Sequence, residues 1–285
     1  MAGLLVDSPA LYWSVAMFRT SLGLILIACS SMLADGAEPA PQSTEQLLKR
    51  FVAEFVEITP GKGTFPASFQ FGEVTPQEVT LSQPFAMAKY EVPQNLYAAV
   101  MGSNPSRWTG PRNSVEMLTW SQARDFCSKI TGLLHAQKLI AEDEVIRLPS
   151  EVEWEYCCRA GTTTAYSFGD GAQAESDVSP KATLLDKYGW HTGNAAGNDP
   201  PVGALAPNPW GLYDMHGYLW EFCEDAWHTG PVTATPHTKA DTTQVVIRGG
   251  SWKDRFPDLR SAYRKPFPVA GKDDAVGFRC VRAKK

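Results

Sequence analysis

Residues 246–263, VIRGGSWKDRFPDLRSAY, read as a short apolar strand, a Gly-Gly-Ser break, a tryptophan and a loop rich in charge and proline. Val246 and Ile247 supply the strand. Gly249 and Gly250 break it, because glycine enters left-handed backbone without a steric penalty. Further on, VGFRCVR (276–282) is a second strand-like end. Binding residues concentrate on loops positioned by a rigid scaffold, so Trp252, Asp254, Arg255 and Arg260 are the candidate ligand contacts. Trp252 is the tryptophan expected to face a groove. Arg248, Arg255, Arg260 and Arg264 suit a clamp on an acidic or peptide ligand. They equally suit a salt-bridge network with Asp254, Asp258, Asp273 and Asp274.

Outward from this loop the chain is punctuated by helix starts. Ser43-x-x-Gln46, Thr119-x-x-Gln122 and Ser150-x-x-Glu153 are capping-box patterns. The first precedes Leu47, Leu48, Phe51, Val52, Phe55 and Val56 at helical spacing, predicting an amphipathic helix to Thr59. The second predicts a helix with Trp120, Ala123, Phe126, Cys127 and Ile130 inward and Gly132 after its end. The third predicts SEVEWEYCCRA, closed by Gly161. Pro93 opens a further short helix that stops at Gly102. Short alternating runs between Pro60 and Phe85 read as strands and turns, and LLHAQKLIAEDEV reads as an insertion. Gly161 to Asn208 reads as loops, and Asn194, Asn198 and Asp199 there suit either an ion site or ordinary turns.

Composition sets the class. The chain has 285 residues, only 20% of them charged, with 23 Gly, 21 Pro and 9 Trp, which fits a loop-rich domain with aromatic anchors. Its net charge of −5, with no basic run, excludes a nucleic-acid footprint. LGLILIA (22–28), behind Arg19 and with Met17 as an alternative start, is too short to span a bilayer and reads as a secretory signal peptide over 1–37. Leu26-Ile27-Ala28-Cys29 also fits a lipid-attachment signal at Cys29. On either reading the domain works outside the cytoplasm, where disulfides are permitted. Without Cys29, Cys127, Cys157, Cys158, Cys223 and Cys280 remain, an odd number. Cys127 fits a buried apolar place on its helix.

Four blocks stand in order: RLPSEVEWEYCCRAGT (147–162), PNPWGLYDMHGYLWEFCED (207–225), VIRGGSW (246–252) and GFRCVR (277–282). Together they resemble the formylglycine-generating enzyme, or sulfatase-modifying factor, family. The resemblance implies one loop-rich α+β domain over 60–285, related to the C-type lectin-like fold. An N-terminal tail and amphipathic helix (38–59) precede it.

The family's best-known activity oxidises a sulfatase cysteine to formylglycine on copper(I) held by two cysteines. Copper(I) is soft and needs thiolates. The matching positions here are Asp254 and Leu259, so neither copper nor the standard catalytic pair is expected. Asp254 reads as a solvated loop carboxylate paired with Lys253 or Arg255. The resemblance further implies a Cys158–Cys280 disulfide, and a second pair between Cys157 and Cys223 is open. It also implies a calcium site that keeps Glu221 but has Tyr218 in place of an asparagine. The expectation is an exported binding protein for a peptide, protein or glycan, its partner being a protein such as a sulfatase. The alternative is a formylglycine-type oxidoreductase, or another maturation enzyme, with a non-cysteine site.

Overall fold

Three helices begin where a polar side chain closes on the backbone three residues ahead. The structure is a computed structural model that describes residues 42–195, 199–238 and 242–285. The signal-peptide, Cys29 and Asn198 readings fall outside the described residues. Ser43, Thr119 and Ser150 each form a complete capping box at α1 (Thr44–Ala53), α3 (Trp120–Ala136) and α4 (Glu151–Arg159). Each box satisfies two backbone N–H groups that a helix start otherwise leaves open. Between them, α2 (Gln94–Met101) ends on Gly102 at φ 83°.

Two boundaries differ from the periodic reading. The first helix stops at Ala53, and Phe55–Ile58 is strand β1, antiparallel to β4 (Phe85–Ala88). Phe55 and Ile58 are buried on either spacing, so the pattern alone could not separate strand from helix. The expected tail over 38–59 therefore contains a strand of the domain's own sheet. The third helix runs through Gly132 to Ala136. A mid-helix glycine costs only about 1 kcal/mol, and fully buried Ile130 and Leu134 on either side outweigh it. The expected insertion is thus the end of α3 followed by β5 (Glu144–Arg147).

The strands form two four-stranded sheets and a hairpin. One sheet has the order β1-β4-β10-β5, where β10 (Val281–Lys284) is the last strand in the chain. The other has the order β8-β7-β6-β9, from Arg264–Pro268, Gln244–Arg248, Trp220–Ala226 and Val276–Gly277. The hairpin pairs β2 (Ser68–Phe71) with β3 (Gln77–Thr80). One apolar cluster joins α1, α2 and α3 to both sheets through Phe126, Phe222 and Phe278. A second gathers Trp154 and Tyr156 of α4 with the hairpin's Phe71 and Val79. The loop at 249–263 leaves β7 and returns as β8, so both of its ends are fixed in one sheet.

Candidate functional site

The loop turns on Gly249 (φ 99°) and Gly250 (φ 74°). A Cβ on Gly250 would stand 2.7 Å from Leu259, so the position needs glycine twice over. Ser251 then starts a turn in which Asp254 N–H donates to Ser251 O at 3.0 Å. The Asp254 carboxylate accepts Ser251 N–H at 3.0 Å, the Ser251 hydroxyl and Trp220 Nε1–H at 2.7 Å. Asp254 is therefore a fastener between loop and sheet rather than a solvated carboxylate. Lys253 pairs instead with Asp273 at 2.8 Å and with Asp274. The Ser251-x-x-Asp254 spacing, a side-chain-closed turn, was the sequence signal for this.

Leu259 is fully buried with Tyr166, Ala182 and Leu185. Its carbonyl accepts Nδ1–H of His216 at 2.9 Å, while Nε2 of the same ring accepts Ser167 N–H at 3.0 Å. Burial pushes His216 down to about 4, so the ring is neutral and can serve both contacts.

The arginines divide. Arg248 is fully buried, donates to Ser261 O, Ala262 O and Tyr263 O at 2.9 Å each, and pairs with Glu155. Arg264 grips Glu151 through two bonds at 2.7 and 2.5 Å, and Arg260 pairs with Glu73 at 2.9 Å. Arg248 and Arg264 are turned to buried internal partners, whereas the Arg260 pair lies at the surface. Exposed Arg255 makes no ion pair among the described residues.

Beneath the loop, Trp220 of β6 is buried, only 3% exposed. Trp220 lies 5.9 Å from the Tyr263 ring and 5.3 Å from Lys265 Nζ. Trp252 and Trp108 both donate their indole N–H to Asp274, to its carbonyl at 3.3 Å and its carboxylate at 3.2 Å. Trp252 is half-buried and Trp108 is 44% exposed. Beneath Trp108, burial lifts Glu116 to about 7. Past Arg260 and Tyr263 a groove of about 620 Å³ opens between the hairpin tip (Gly72–Thr75) and the segment Thr229–Val232. Gln77 bridges these walls, donating to Val232 O at 2.6 Å and accepting Val232 N–H at 3.1 Å.

Residues 41–284 match the sulfatase-modifying factor enzyme 1-like domain. The chain belongs to this family. The domain is 28% identical over 240 residues to the chaperone protein LppX of Paenibacillus barcinonensis, covering 73% of this chain and 83% of that protein. It is 27% identical over 262 residues to the formylglycine-generating enzyme of Bos taurus, covering 80% of this chain and 62% of the enzyme. The structure of PvdO from Pseudomonas aeruginosa shares the fold with a TM-score of 0.66 at 24% identity, covering 80% of this chain and 94% of that one.

Against that family the metal expectations can be tested on the domain's own atoms. The two positions that would hold copper are a carboxylate consumed by Trp220 and Ser251 and a leucine sealed in a core. These residues do not fit copper(I). Glu221 does not fit calcium either. It accepts two bonds from Arg279 at 2.6 and 2.7 Å and one from Trp154 Nε1–H at 2.8 Å. Among the described residues no three His, Cys, Asp or Glu side chains converge on a metal position.

The disulfide expectation is also corrected. Cys158 Sγ lies 3.8 Å from the His216 ring nitrogens, in a different apolar cluster from Cys280. The neighbour of Cys280 is Cys127, at 3.9 Å between sulfurs. Cys157 and Cys223 are likewise buried free thiols.

Beside Glu221 sits a polar knot that the sequence did not reveal. Glu91 lies 3.9 Å from Arg279, and both of its oxygens are buried without a hydrogen-bond partner. Asp214 accepts Gly203 N–H at 2.7 Å, but its other oxygen has no partner. Burial lifts both carboxyls, Asp214 to about 6 and Glu91 well above the usual carboxylate range.

Proposed function

We propose that this chain is an exported sulfatase-modifying-factor domain that holds a protein or peptide partner on the face of Trp252 and Trp108. It does so without copper-dependent oxidation of cysteine. One observation carries the reading. Both positions that would supply the thiolates are committed to the fold, Asp254 by Trp220 and Leu259 by its apolar cluster, while Trp252 and Trp108 beside them stay part-exposed. A loop whose reactive positions serve as fasteners is suited to recognition. Export rests on the apolar 22–28 segment and the small residues after it. Kinship to a protein named a chaperone favours a protein partner, and the chain itself is either free or attached to a membrane through Cys29.

The test is incubation of the purified chain with a cysteine-containing sulfatase peptide, with and without copper(I), read by peptide mass. The expected result is no conversion, with saturable binding that weakens on Trp252→Ala. Copper-dependent formation of formylglycine would overturn the proposal. Copper-independent turnover that survives removal of metals and falls on Asp254→Ala would establish the enzyme alternative.

A further inference from the structure

His228 and His237 are nine positions apart in a segment with no metal-type spacing, yet the fold brings their rings together. The centroids lie 4.4 Å apart with planes tilted by 42°. Both side chains are half-buried, and Nε2 of His237 is enclosed with no hydrogen-bond partner. An enclosed imidazole nitrogen without a partner is costly, and a metal ion is one of the few species that relieves it while drawing in a neighbouring imidazole.

We propose that His228 and His237 form a two-imidazole site for a divalent transition-metal ion of the zinc and copper class, fastening the loop that walls the groove. Imidazole suits these ions, whereas calcium requires a cage of oxygens. With metal–nitrogen bonds of about 2.0–2.1 Å and bond angles of about 90–110°, two ring centroids stand about 4.5–5.3 Å apart. The pair at 4.4 Å reaches that range by a small rotation. No third histidine, cysteine or carboxylate completes a cage among the described residues, so water fills the remaining positions. The Asp225 carboxylate lies alongside, where it accepts the N–H groups of Glu151 at 2.7 Å and His237 at 2.8 Å.

The surroundings connect this site to the groove. Asp225 ties His237 to the start of α4, next to Glu151, the partner of Arg264. Arg264 also donates to His228 O at 3.0 Å and stacks 4.6 Å from the Trp227 ring. The residues directly after His228, Thr229–Val232, are the groove wall itself. A bound ion would therefore hold one wall of the groove in place, whatever the groove receives.

The experiment titrates the full, chelator-stripped chain with Zn²⁺ by calorimetry and repeats it with Cu²⁺, read by electron paramagnetic resonance. The expected result is one saturable ion per chain, hyperfine coupling from two nitrogens, and at least tenfold weaker binding in both His228→Gln and His237→Gln. His135→Gln, a control remote in sequence, leaves binding unchanged. Melting curves recorded in chelator confirm that each variant folds. Absence of saturable binding, or affinity retained in either variant, overturns the site.

Discussion

Two buried arginines sit in knots of opposite stoichiometry. Around Arg248, three guanidiniums (Arg248, Arg264, Arg159) serve two carboxylates, Glu151 and Glu155, and the surplus donors go to loop carbonyls. Around Arg279, one guanidinium faces Glu221, Glu91 and Asp214, and carboxylate oxygens are left without partners. The first knot sets its charges against one another and against backbone carbonyls, leaving Arg248 Nε without a partner. The second also reaches backbone carbonyls but holds carboxylates in excess, and it shifts the burden onto protons. Buried ion pairs are therefore not one kind of feature here. One knot sets the position of the candidate binding loop, and the other makes the fold sensitive to pH.

The sharpest way to break the contrast is Arg279→Ala. It strands Glu221 and its acidic neighbours without a cation, and it should cost about 3–5 kcal/mol or prevent folding, read by urea denaturation. Arg248→Lys keeps the charge but loses the planar fork that reaches three carbonyls. A loss of about 2 kcal/mol is expected, together with weaker partner binding, because Ser261–Tyr263 is released.

Asp214→Asn tests the proton side. The folded carboxyl, at about 6, holds its proton more tightly than the unfolded one at 3.8. Its contribution is thus complete below the unfolded value and is lost as pH rises through about 6. The variant should flatten that part of the stability–pH curve by about 3 kcal/mol. An unchanged slope would move the titration to another group. The smallest effect is expected for Asp254→Asn, about 1 kcal/mol, from weakening the charged acceptor for Trp220 and Ser251. A fluorescence-monitored melt reads it directly, since the indole of Trp220 is the donor.

Local chemistry was legible in the sequence. Ser43, Thr119 and Ser150 announced their helices because a capping box is decided within four residues. The end of α1 was not legible, since Phe55–Ile58 becomes a strand only by pairing with β4. The turn was readable from the Gly-Gly-Ser break, and Trp252 lies half-exposed just after it. The fate of its charges was not. Arg248 meets Glu155 across 93 positions, and Arg279 meets Glu221 across 58. No spacing rule covers such separations. The same holds for Cys280, whose neighbour turned out to be Cys127.

Leu259 carries a consequence for substitution. Its side chain fills space that exists only because two residues have no Cβ. A methyl on Gly250 would lie 2.7 Å from it, and one on Gly217 would lie 2.6 Å from it. The backbone already calls for glycine at both places, at φ 119° for Gly217 and 74° for Gly250, and the leucine adds a second reason. The three residues therefore constrain one another, and a side chain at either glycine would have to displace Leu259. A cysteine placed at 259 would be shorter than the leucine and would leave a void in its cluster.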